Sequence, residues 1–175
     1  MEEAISKLKR HSLCLQLSGT REVKLELIFD YFDLKELKLH LDYWKYACLV
    51  NEIDLYASAE ERSSLMAFCK DIEKLMEGFY ILSRHEDKRI EVMTLRYIKK
   101  WREKNRCDSL SKAEQQKPGH VLKWFAEKYR YEYALAEIMD MLDAVINLRQ
   151  YDSYYRHSTV FFFMAINAFV SMVYE

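Results

Sequence analysis

From Leu34 onward, apolar residues return every three or four positions: Leu34, Leu37, Leu41, Trp44 and Cys48. That spacing matches the turn of an α-helix and predicts a helix over about 34–56 with one buried face. A second stripe, Leu65, Phe68, Cys69, Ile72, Leu75, Met76 and Phe79, predicts a helix over about 59–84. Both runs open on a capping oxygen followed three residues later by a carboxylate, Asp33 to Glu36 and Ser58 to Glu61. In a capping box each side chain satisfies a backbone N–H that the first helical turn leaves without a partner. A third helix is predicted over about 87–105, with Ile90, Tyr97 and Trp101 on one face. Helix formers resume over about 121–149, where Ile138, Leu142, Val145 and Ile146 make a core stripe.

The C-terminal run from Val160 to Val173 is apolar except for Asn167 and Ser171. A membrane-spanning helix needs about 20 mostly apolar residues, which this run does not reach. A helix over 153–174, capped by Asp152 or Ser153, is expected instead. Being apolar on nearly all sides, it belongs at the centre of a bundle rather than in a membrane. The N-terminal third reads two ways. Leu13, Leu15 and Leu17 alternate, Ser18-Gly19-Thr20 can turn, and Val23, Leu25 and Leu27 alternate again, the pattern of a β-hairpin over about 12–28. Val23, Leu27, Tyr31 and Leu34 also make a helical stripe, and two helices are the preferred reading. "NRCDSLSKAEQQKPGH" holds the only Pro and predicts a polar connecting loop at about 106–119, with at most one helical turn and the most open target for a protease.

Composition narrows the class. Three Gly and one Pro in 175 residues are too few to turn the corners of a β-rich fold. The expectation is an all-α, compact helical bundle of six or seven helices, a single helical domain over 1–175. The net charge of −1 excludes a uniformly basic surface but not a basic patch. Cys14, Cys48, Cys69 and Cys107 are widely spaced without a CxxC pair, which points to reduced thiols and a cytoplasmic protein. The opening "MEEAISKLKR" has early acid and no apolar run, so no secretory leader is expected.

Two constellations could carry chemistry. Between Lys88 and Arg106 stand eight Lys and Arg against two acids, and Arg89, Arg96, Lys99 and Lys100 share a helical face. Such a stripe can neutralise phosphates, the sequence-independent part of nucleic-acid affinity. Its simpler use is to face the acids between Glu22 and Glu61, within one molecule or across a dimer. The second constellation is Arg149, Arg156 and His157, which fit RNA cleavage if His moves a proton and Arg stabilises phosphate charge. Its simpler reading is a helix junction where Tyr rings pack.

Other chemistry is poorly supported. The five His are isolated in sequence, with no HExxH, so no metal is expected. The three isolated Gly build no phosphate loop, and no cofactor is expected. Tyr is abundant, and Tyr129, Arg130, Tyr131, Tyr133, Tyr154 and Tyr155 form a candidate protein interface, since Tyr and Arg are enriched at binding hot spots. The sequence therefore points away from an enzyme. It points toward a small intracellular protein acting by protein–protein interaction, with a protein partner or a homo-oligomer, and to nucleic-acid binding through helix 87–105 as the alternative.

Overall fold

The computed structural model describes residues 21–50, 55–84, 95–148 and 153–175; for 95, 96 and 153–157 it describes the backbone alone. Among these residues there are eight helices and no strand: α1 Arg21–Tyr31, α2 Leu34–Val50, α3 Ala59–Ser83, α4 Leu95–Lys104, α5 Lys112–Gln116, α6 Pro118–Lys128, α7 Tyr131–Asn147 and α8 Ser153–Tyr174.

Both expected capping boxes form. Asp33 accepts from the Glu36 N–H at 2.9 Å while Glu36 accepts from the Asp33 N–H at 2.9 Å. Ser58 and Glu61 do the same at 3.1 and 2.8 Å, opening α3. A third box, Ser111 with Glu114, opens α5. The sequence signal for it, Ser followed three residues later by Glu, lies inside the stretch expected as a loop.

The stripes read from the sequence pack as a core. Leu34, Leu37, Leu41, Trp44 and Cys48 of α2 are buried, as are Leu65, Phe68, Cys69, Ile72, Leu75, Met76 and Phe79 of α3. Helix α8 lies between them and touches α1, α2, α3, α6 and α7. Its Phe162 meets the Trp44 ring edge-on at 5.1 Å, and its Phe169 stacks on Phe79 at 5.2 Å. The central position expected of this helix is therefore its actual one. Helix α6 closes over α3 at Gly78, where an added Cβ would stand 3.3 Å from Leu122 Cδ1. A helix residue without a side chain lets the two backbones approach closely.

Three boundaries differ from the sequence expectation. The helix expected over 34–56 is described from Leu34 to Val50, and Leu55 and Tyr56 lie outside any helix. The run expected as one helix over 121–149 is two, because Tyr129 and Arg130 are extended, with ψ of 140° and 148°. The residues between Pro118 and Val121, expected as loop, begin α6, since Pro at the first helical position surrenders an N–H the helix does not use. Val23, Leu25 and Leu27 lie on helix α1, so the second strand of the alternative hairpin does not form; 12–20 lie outside the described residues.

Candidate functional site

The most concentrated polar chemistry surrounds Glu77 of α3, whose side chain has no exposed surface. One carboxylate oxygen accepts from the backbone N–H of Asp108 at 3.1 Å and of Ser109 at 3.0 Å. The other accepts from Ser109 at 3.1 Å and Leu110 at 2.9 Å. Three successive amides thus converge on one anion, and the anion belongs to the chain itself. The Lys38 ammonium stands 2.5 Å from Glu77, 3.3 Å from Glu73, and also pairs with Asp108. Burial alone would lower the Lys38 pKa, but hydrogen bonds to Asp108 and Glu77 and the charges of Glu77 and Glu73 outweigh it and hold it above the usual lysine range. The oxygens of Glu73, Glu77 and Asp108 lie within 4.8 Å of one another, a spacing that can hold a metal ion. Here the Lys38 ammonium contacts all three carboxylates, so the chain supplies its own cation.

A second cluster joins α3 to the α6–α7 turn. Asp71 is buried and accepts from Lys128 Nζ at 2.5 Å and from the Tyr129 hydroxyl at 2.7 Å. Burial, with the Asp71 hydrogen bond and charge, pushes the Tyr129 hydroxyl above its ordinary pKa. The Tyr174 hydroxyl donates to the Tyr129 carbonyl at 2.7 Å, which ties the extended residue to the end of α8.

The described thiols are all at least partly buried. Burial pushes the Cys69 thiol up to about 12 and the Cys107 thiol up to about 11, and it raises Cys48 as well. The thiolate is the reactive form, and burial disfavours it at all three positions. His40 lies between the Phe32 and Phe162 rings, and burial lowers its pKa. Glu137 accepts from the Tyr56 hydroxyl at 3.0 Å, and burial raises its pKa.

No family model, curated protein or solved structure matches this chain. The structure distributes the expected interface residues unevenly. Tyr129 and Tyr131 are half-buried, Tyr131 against the Tyr174 ring at 5.3 Å. Tyr133 stacks parallel on Tyr129 at 5.8 Å and keeps 44% of its surface exposed, and Arg130 is exposed. The side chains of Tyr154, Tyr155, Arg156 and His157 lie outside the described residues, as does Arg149. Of the expected phosphate-facing set, Lys99 and Lys100 are exposed on α4; Arg89 and the side chain of Arg96 lie outside the described residues.

A surface the sequence reading passed over lies on α2. Leu39, Tyr46 and Val50 are exposed by 50%, 56% and 44%, with Tyr43 half-buried between them. Their spacing of four, three and four puts them on one ridge, opposite Leu37, Leu41, Trp44 and Cys48. Helix α2 is apolar on two opposite sides, and the second side was legible as a second stripe in the same run. Helix α7, which packs on α2, exposes Met139 and Ile146.

Proposed function

We propose that this chain acts by binding another protein through the outer ridge of α2. One observation supports the reading: Leu39, Tyr46 and Val50 form a ridge of large apolar side chains held in water, on a helix whose other side already fills the core. Apolar surface in water is unfavourable by about 25 cal/mol per Å², and a partner recovers that energy by covering it. The four-three-four spacing is the seam of a two-helix contact, so the fitting partner surface is a helix, from a second copy or from another protein. Tyr46 is the expected hot spot, because a Tyr combines large contact area with few rotatable bonds.

The test has two arms. Sedimentation velocity from micromolar to near-millimolar concentration is expected to show reversible association that Tyr46→Glu abolishes. A photo-crosslinking residue at position 46, in the cell that makes the chain, is expected to give discrete protein adducts that a residue at the exposed position 70 does not. A monomer at every concentration together with no adduct specific to position 46 would sink the proposal.

A further inference from the structure

A different observation concerns charge. The segment from Leu95 to Arg130 carries eleven Lys and Arg against four Asp and Glu, in a chain whose net charge is −1. Internal pairing with acids is the competing use for that excess, and the fold takes some of it. Lys104 pairs with Asp33 at 2.6 Å, Lys128 with Asp71 at 2.5 Å, and Lys123 with Glu127 at 3.7 Å. Lys99, Lys100, Arg102, Arg106 and Lys112 are exposed, and none of them makes an ion pair among the described residues. Within one molecule, the described acids between Glu22 and Glu61 therefore do not pair with these five cations.

These cations share one stretch of folded chain. Gln115 of α5 donates to the carbonyls of Cys107 and Leu110, both at 3.0 Å, so the residues between Arg106 and Lys112 are folded back onto α5. Asn105, at the end of α4, accepts from the Leu34 N–H at 3.1 Å, which fixes α4 against the start of α2. The cations sit on a rigid knuckle rather than on loose chain. Tyr97 stands one turn before Trp101 on α4. Trp101 is half-buried, with the Arg84 guanidinium 5.4 Å above its ring, whereas Tyr97 is 63% exposed. Like charges held together disfavour the compact state, and a bound polyanion removes that penalty. Tyr97 lies on the same side of α4 as Lys100, three residues on, and its exposed ring adds a platform on which a base can stack.

We propose that the α4–α5 face binds the phosphodiester backbone of a single-stranded nucleic acid, with Tyr97 stacking on a base. The proposal is independent of the α2 ridge, and either can fail without the other. The experiment is fluorescence anisotropy of the full chain with labelled oligouridylate, oligothymidylate and a duplex of equal length, at about 50 and about 200 mM salt. Four neutralised phosphates on a single strand predict an affinity loss of about fiftyfold between the two salts. Lys99→Glu with Lys100→Glu is expected to weaken binding at least tenfold, and Tyr97→Ala at least several-fold, with circular dichroism unchanged. Lys70→Glu, exposed on α3, removes the same charge per site elsewhere and is expected to leave binding intact. No binding at the lower salt overturns the proposal. So does equal loss with Lys70→Glu, which reports net charge alone, and so does stronger binding to the duplex. Equal affinity for polyglutamate also overturns it, by assigning the face to an acidic protein.

Discussion

A carboxylate with no exposed surface needs its lone pairs met and its charge balanced, and Glu77 has four amide contacts and one ammonium to do so. Glu77→Gln keeps the shape but leaves Lys38 without its buried partner and gives the three amides a poorer acceptor. Removing one member of a buried pair costs about 3–5 kcal/mol, which chemical denaturation will read as a lowered midpoint. Lys38→Met leaves three carboxylates facing one another and is expected to cost a similar amount. The double variant is expected to lose clearly less than the sum, because the two side chains answer each other. Two carboxylates should respond to pH in opposite senses. Hydrogen bonds from Lys74 and Ser111 depress the pKa of Glu114 from 4.5 to about 2. Its folded pKa is below its unfolded value, so its stabilisation is present above pH 4.5 and is lost as pH falls toward 2. The site is near the surface, so screening limits the effect to about 1 kcal/mol. Acid titration of Lys74→Ala against the parent, followed by circular dichroism, is expected to show a shallower loss in that window. Burial raises the pKa of Glu137, so the folded state holds its proton above pH 4.5 and stability declines as pH rises through the folded value. Glu137→Gln is expected to flatten that decline.

At the scale of elements, the caps and the close approach of α3 to α6 carry the predictions. Ser111→Ala removes a capping oxygen from α5, and such a loss typically costs about 1 kcal/mol. Because α5 carries Gln115, the same change is expected to raise amide exchange at Ser109 and Leu110, whose N–H groups Glu77 holds. Ser58→Ala, at the start of the long α3, is expected to lower stability by a similar amount without that local exchange signature. Gly78 lies against Leu122 and Val121 of α6. Gly78→Ala adds one methyl against the flexible end of Leu122, and the better helix propensity of Ala offsets the crowding, so a small net change is expected. Gly78→Leu cannot be relieved by rotating Leu122 alone and is expected to cost about 1–3 kcal/mol, measured by thermal melting.

At the scale of the whole molecule, α8 decides cooperativity. It touches five other helices, and its Phe162 and Phe169 rings are fully buried against Trp44 and Phe79. Phe162→Ala is expected to cost about 3–5 kcal/mol. The near-ultraviolet and far-ultraviolet transitions should move together, because the helices that α8 touches share its buried rings. No helix among the described residues is long and apolar enough to cross a membrane. The apolar run from Val160 to Val173 is the axis around which the bundle packs.

The sequence by itself determined the helical class, the capping boxes at Asp33 and Ser58, the core stripes of α2 and α3 and the central role of the last helix. These depend on neighbours three or four residues apart, and such local relations are written directly in spacing. Only the tertiary structure decided which charges would be spent inside. Glu77 and Asp71 look like ordinary surface acids in α3, and their partners come from Lys38 and from residues beyond Asn105 in the chain. No local pattern encodes such a pairing. The same reason explains the break at Tyr129: its hydroxyl is held by Asp71 and its carbonyl by Tyr174, which are distant in sequence. The α2 ridge is intermediate. Its period was readable, but a second apolar stripe becomes a surface only once the first has been buried.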